Sequence, residues 1–235
     1  MKSIHKIIPI LFLGFWSCES PESKYDRETG QTEILTKDEV DAVLDGLEKI
    51  DYTDLPASYI NYSDPYGDFE ANLKSYEYFV IKGDEVLKFV VGKTRIQDFM
   101  ASDGYKSENA ADFEANKTQY WLVDRKMIYM IVEFIDQLDE KGLNKYGFYV
   151  RESHRHPKLN KARGGASKSQ HIYGKAADLV IEDINNDGKA NQKDKEIALE
   201  ILEGIVGSKG GMGLYPGTMT IHIDCRGYAA RWDSY

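Results

Sequence analysis

Seven residues near the C-terminal end, TMTIHID (218–224), alternate strictly in character. Period-two alternation marks a strand with two different faces: Ile221 and Ile223 point to a core, His222 and Asp224 to a cleft. Two further strands are expected in YGFYV, ending at Val150, and in KAADLVI (175–181). Helical spacing appears instead in Ile128, Ile131, Val132, Ile135 and Leu138, ending near Gly142, and again in Ile197, Ile201, Leu202 and Ile205. A shorter helix should begin after Thr36, which has capping-box spacing to Glu39 and is followed by Val40, Val43, Leu44 and Leu47. YEYFVIKGDEVLKFVVG (76–92) reads as a hairpin around Lys82-Gly83-Asp84, and DYTDLPASYINYSDPYGDFE (51–70) as loop. Strands and helices are mixed without regular βαβ alternation, so the expected class is α+β rather than a doubly wound sheet.

Hydrophobic content of 42% and aromatic content of 12% suit a packed core. A formal charge of -9 and the lack of clustered Lys and Arg argue against a nucleic-acid surface. Sixteen tyrosines are most simply half-buried packing residues with a wet hydroxyl. The N-terminus has a secretory layout: Lys2 and Lys6, an apolar run from Ile7 to Trp16, then Ser17 and Cys18. That run is too short to cross about 30 Å of hydrocarbon as a helix. Residues 19–35 are polar and read as a tether. The expected organisation is a signal over 1–18, a tether with a small helical and hairpin segment over 19–83, and a main domain over 84–235.

SKSQHIYGKAADL (167–179) holds His171 and Asp178 seven residues apart around Gly174, Ala176 and Ala177. Polar ends around a slim middle suit either a tight turn or two arms of a metal site. Imidazole and carboxylate are established Zn²⁺ ligands, and three protein ligands plus water make a catalytic site. His171, Asp178 and His222 would supply that set, with Asp224 beside it. A metal route needs no nucleophilic side chain; no Gly-x-Ser-x-Gly motif is present, and no Ser-x-x-Lys outside the N-terminal segment 1–18. Cys225 lies on the opposite face of its strand from His222 and Asp224 and reads as a buried, inert thiol. A separate signal is DINNDGKANQKD (183–194): Asp183, Asn185, Asp187, Gly188 and Asp194 stand at positions 1, 3, 5, 6 and 12 of a twelve-residue calcium loop.

SQHIYGKAAD resembles, position by position, the Ser-x-His-x-x-Gly-x-Ala-x-Asp motif of the zinc D-Ala-D-Ala peptidase family, whose fold hedgehog signalling domains share. SHRHPKLN (Ser153, Arg155, Pro157, Asn160), QDFMASDG (97–104) and GGMGLYPGTMTIHIDCRGYAARW (210–232) are similar to further family segments, in the same order. The end of the apolar run resembles a lipoprotein lipobox, with Cys18 as the lipidated residue. The likeness implies a hedgehog/DD-peptidase-like mixed sheet with flanking helices. It implies His171 and Asp178 as zinc ligands, with His222 as the third. Relatives with His-x-His use the second His, so Asp224 could be the ligand and His222 its helper. Relatives also carry a Glu as general base three residues before the ligand; Met219 stands there, and Asp224 is the substitute, either as a supporting carboxylate or as proton acceptor. Arg155 would hold a substrate carboxylate or polarise the scissile carbonyl, and Ser169 would orient substrate or loop. The calcium loop resembles those of dockerin-type modules, so the cofactors expected are Zn²⁺ and Ca²⁺. The function implied is hydrolysis of D-Ala-containing peptide bonds of peptidoglycan, as carboxypeptidase or endopeptidase, by an exported protein anchored to the membrane through lipid on Cys18. The alternatives are a non-catalytic, metal-containing cell-wall-binding module of the same fold and, from the 183–194 loop alone, a calcium-dependent structural lipoprotein.

Overall fold

In the computed structural model the described residues are 32–101 and 118–233. Cys18, residues 19–31 of the tether and residues 102–104 of QDFMASDG lie outside them. Among the described residues no helix is long and apolar enough to cross a membrane.

The first helix, α1 (Lys37–Asp45), starts where the capping box put it. The Thr36 hydroxyl accepts from Glu39 N at 3.2 Å, and the Glu39 carboxylate accepts from Thr36 N at 2.9 Å. Its Val40 and Leu44 are fully buried in the same core as Ile128, Leu179 and Ile221. The boundary expected at residue 84 therefore falls inside one compact unit, Glu33–Tyr235.

Strands β1 (Glu48–Asp51), β2 (Glu77–Lys82) and β5 (Thr118–Trp121) form an antiparallel sheet in the order β1-β2-β5. The stretch expected as loop carries two short helices, α2 (Ala57–Ser63) and α3 (Asp68–Leu73). Their buried positions are mainly aromatic: Tyr59 and Phe69 join Tyr52, Tyr78, Leu122 and Ile172 in a second cluster. Aliphatic periodicity could not show that face. The expected hairpin does not form either. Both edges of β2 are taken by β1 and β5, so the chain leaves it through a 3-10 turn (Gly83–Leu87), and β3 (Phe89–Val91) pairs with β4 (Thr94–Arg95). After α4 (Ile96–Phe99), helix α5 (Arg125–Glu140) buries the predicted stripe together with Met127 and Phe134.

The main sheet is mixed and five-stranded, in the order β10-β8-β9-β7-β6: β6 (Phe148–Glu152), β7 (Ala176–Ile181), β8 (Gly211–Gly213), β9 (Thr220–Asp224) and β10 (Ala230–Trp232). Only β8 and β10 run parallel. One face, with Val150, Leu179, Met212, Ile221 and Ile223, packs on α5 and α7 (Gln192–Val206). The other is roofed by the segment between β6 and β7, where Pro157 opens α6 (Pro157–Ala162) at a position that needs no N–H. The mixed α+β class expected from the sequence is the one the chain forms.

Candidate metal centre

Strand register builds a row of side chains across the roofed face. Asp178 lies directly opposite His222, His222 opposite Gly213, and Gly213 opposite Trp232. The row continues to Glu152, opposite Asp178, because β6 shifts register between Val150 and Glu152. Simple alternation would send Glu152 to the core face with Phe148 and Val150; the bulge turns it to the site. Gly213 is required in this row, since a Cβ there would lie 2.6 Å from the Trp232 indole nitrogen. The indole in turn packs against the His222 ring, with centroids 5.0 Å apart.

His171 arrives from a 3-10 turn (Gln170–Tyr173) that Gly174 ends at φ +64°. A Cβ on Gly174 would stand 2.3 Å from the Leu122 carbonyl oxygen, so this position accepts neither the bulk nor the conformation of another residue. Ala176 and Ala177 are fully buried, and the Ser153 hydroxyl donates to the Ala176 carbonyl at 2.7 Å. The slim middle of the 171–178 stretch is thus what lets the turn close down on the sheet.

The three expected ligands meet. His171 Nε2 lies 3.1 Å from His222 Nδ1 and 3.4 Å from Asp178 Oδ1, and His222 Nδ1 lies 2.9 Å from Asp178 Oδ1. Tetrahedral zinc with bonds of about 2.0–2.1 Å separates its ligand atoms by about 3.3 Å. Among the described residues, this is the group of three or more His, Cys and carboxylate side chains whose ligand atoms all lie within 4.8 Å. Each ligand is also oriented from behind. His171 Nδ1 donates to the Ser153 carbonyl at 2.5 Å, which leaves Nε2 with its lone pair toward the site. Asp178 Oδ2 accepts from Arg155 Nη2 at 2.7 Å, and His222 Nε2 donates to Asp224 Oδ2 at 3.1 Å. Such outer partners fix tautomer and ring orientation in zinc sites. The donor set and its support fit a zinc ion held by His171, Asp178 and His222.

The electrostatics favour positive charge there. Burial alone would raise the Asp178 carboxyl, but the two imidazoles overrule it and hold it well below the usual range. Burial would likewise lower His222, but hydrogen bonds to Asp178 and Asp224 outweigh it and raise the imidazole. His171, with burial dominant, is lowered. A divalent cation at the shared point would answer the same pair of carboxylates.

Geometry separates His222 from Asp224: His222 Nδ1 faces Asp178, and Asp224 stands behind the ring at Nε2. As proton acceptor Asp224 is badly placed. It is fully buried and does not line the cleft; its oxygens accept from Gly211 N at 3.0 Å and from Arg226 Nε at 2.8 Å. Burial would raise this carboxyl, but His222 and Arg226 hold it low. Met219, at the position of the usual base, packs on the apolar core. Arg155 is engaged by two carboxylates, Asp178 and, at 2.9 Å, Glu152 Oε2. Ser169 lines the cleft beside His171. Cys225 is an inert thiol: burial pushes its pKa up to about 12, and Sγ contacts the Lys175 carbonyl at 3.5 Å.

The 183–194 loop is closed by its own amides. Asp183 accepts from Asp187 N at 3.0 Å and Gly188 N at 2.8 Å; Asp194, fully buried, accepts from Asn185 N and Asn191 N, both at 3.0 Å. Asp183, Asp187 and Asp194 do not form a second cluster of the kind made by the zinc ligands. The calcium expectation finds no support here and rests on sequence spacing alone.

The cleft over the three ligands has a volume of about 590 Å³. Glu152, Tyr215 and Trp232 line it and had not been singled out by the sequence. Glu152 Oε1 accepts no hydrogen bond, although Arg163 Nε stands 3.8 Å away. Nothing local announces Glu152 or Tyr215, because a bulge and a folded-back loop put them there.

Residues 129–224, from within α5 to the end of β9, match the protein-family model described as Peptidase M15. All three zinc-type ligands fall inside the matched span. No curated protein and no solved structure matches the chain.

Proposed function

We propose that this chain, which matches the peptidase M15 family over residues 129–224, is a zinc metallopeptidase that hydrolyses D-Ala-containing peptide bonds of peptidoglycan. The observation that carries the reading is the convergence of His171, Asp178 and His222, each fixed by a partner behind it. Zinc in this site would lower the pKa of water at the open position and polarise the scissile carbonyl.

The chain's own residues supply the rest. Arg155 holds Asp178 by its outer oxygen, leaving Oδ1 to the metal. Arg151, Arg163, Lys168 and Arg226 ring the cleft of an otherwise acidic protein, an arrangement suited to a substrate that carries carboxylates. Ser169 lies where it would orient that substrate. Proton acceptance we assign to Glu152, the cleft-lining carboxylate that is not a metal ligand and keeps an oxygen clear of hydrogen bonds. The protein would act in the cell envelope, exported by the apolar N-terminal segment and tethered by lipid on Cys18.

The test uses residues 19–235. Bound metal should be about one zinc per chain, and digestion of muropeptides should release D-Ala or split cross-links. His171→Ala and Asp178→Ala should abolish both zinc binding and turnover while the fold survives. Zinc bound without hydrolysis of any muropeptide would make the chain a binding module of the same fold. Labelling of the full chain with a radioactive fatty acid, lost in Cys18→Ser, checks the anchor.

A further inference from the structure

Lys195, on the first turn of α7, is a buried ammonium that the zinc site does not use. It is 2% exposed, and its Nζ donates to three backbone carbonyls: Leu214 at 2.5 Å, Thr218 at 2.7 Å and Tyr215 at 3.1 Å. Burying an ammonium is costly unless its donors are met; burial lowers its pKa. All three acceptors belong to the loop between β8 and β9, so one side chain ties that loop to the helix.

The tied loop carries Tyr215 at φ +41°. That is the left-handed region, uncommon for a residue with a Cβ and disfavoured before a proline, here Pro216. Strain of this kind persists where the surroundings enforce it, and it concentrates at functional sites. Tyr215 lines the cleft over the three ligands. Its phenol is hydrogen-bonded to Trp232 and shares the cleft with Asp178, Arg155 and Arg151, whose charges act on it. An indole N–H can only donate, so the phenol oxygen is the acceptor in that bond, and the phenol's own proton takes no part in it.

We propose that Tyr215 is a catalytic residue whose hydroxyl donates a hydrogen bond to the substrate carbonyl oxygen as negative charge develops on it, and that Lys195 is the positioning residue that holds the Tyr215 loop over the site. No proton is transferred; the phenol remains a donor throughout. The inference rests on the metallopeptidase reading, but the experiment separates the two.

Zinc-loaded wild type and Tyr215→Phe are compared on a D-Ala-D-Ala-terminated peptide and by titration with a phosphinate dipeptide, a tetrahedral mimic. The expected result is a fall in kcat of about 100-fold, the usual effect of losing one such donor, with KM and zinc content unchanged and a matching loss of phosphinate affinity. Wild-type kcat and phosphinate affinity in Tyr215→Phe would overturn the catalytic role. Hydrogen exchange tests the positioning role: the Leu214 and Thr218 amides, which donate to the Trp232 and Tyr215 carbonyls, should be as protected as those of β9 in the wild type and lose that protection in Lys195→Met. Rapid exchange of this loop in the wild type would overturn it, even if Lys195→Met does not fold. Should the wild type cleave no peptide at all, the metallopeptidase reading and the catalytic role of Tyr215 both fail, while phosphinate titration still shows whether Tyr215 binds a tetrahedral anion and exchange whether Lys195 holds its loop.

Discussion

Replacing Asp224 by Asn separates orientation of a ligand from proton transfer. In the folded chain the Asp224 carboxylate accepts from His222 Nε2 at 3.1 Å, from the Arg226 guanidinium at 2.8 Å and 2.5 Å, and from Gly211 N at 3.0 Å. An amide of the same shape keeps one oxygen. If that oxygen stays with Gly211 N and Arg226 Nε, the new NH₂ group takes the place of Oδ2 and faces two donors, His222 Nε2 and Arg226 Nη2. His222 then loses the acceptor that fixes its tautomer and ring angle. Loss of such an outer partner weakens zinc binding about 10- to 100-fold, which is about 1.4–2.7 kcal/mol. The assay is competition for zinc against a chromophoric chelator at neutral pH, followed by D-Ala release at saturating zinc. Asp224→Asn should shift the zinc dissociation constant by that factor and recover much of its turnover when zinc is supplied in excess. Glu152→Gln should do the reverse, keeping zinc affinity within about 3-fold while turnover falls about 10²- to 10⁴-fold. The reasoning is refuted if Asp224→Asn binds zinc as tightly as the wild type yet loses all turnover, because Asp224 would then be the proton acceptor.

Gly174→Ala places a Cβ 2.3 Å from the Leu122 oxygen and 2.6 Å from Val123 Cα at φ +64°, so urea unfolding should show a loss of about 2–4 kcal/mol from left-handed strain plus overpacking; a loss below about 1 kcal/mol would contradict the rigidity assigned to this turn. Asp178 and Asp224 both titrate lower in the folded chain than their ordinary value of 3.8, so the folded state binds fewer protons there. Their contribution is present above that pH and lost as pH falls below it; because the buried His171 is lowered as well, thermal melts of chelator-treated protein should begin to decline below about pH 6 and fall more steeply below about pH 4. With Cys18 replaced by Ser, Cys225, whose thiol is pushed up to about 12 by burial, should react with a disulfide reagent about 10³-fold more slowly in the native than in the unfolded chain.

Much of this architecture is written locally. The capping box of Thr36 and Glu39, the stripe of α5 and the alternation of TMTIHID are short-range patterns whose periods match the geometry of one helix or strand. The candidate ligands were legible for a related reason: donors of the right chemistry, a glycine and two alanines fall within one short stretch, and His222 and Asp224 share the polar face of their strand. The same local view missed α2 and α3, whose buried faces are aromatic and pack on a distant sheet, and it placed a hairpin where β2 has both edges occupied by other strands.

By itself, then, the sequence determined the long amphipathic helices, the alternating strands, and that His171 and Asp178 share a site with the His222–Asp224 pair. The tertiary structure alone decided that His222 rather than Asp224 faces Asp178, that Arg155 is held between two carboxylates, that Glu152 turns from core to cleft, and that Lys195 ties Tyr215 above the site. Periodicity and side-chain chemistry are properties of neighbouring residues. Register, a bulge and a loop anchored from another helix depend on partners far away in the chain, and only the folded backbone brings those partners together.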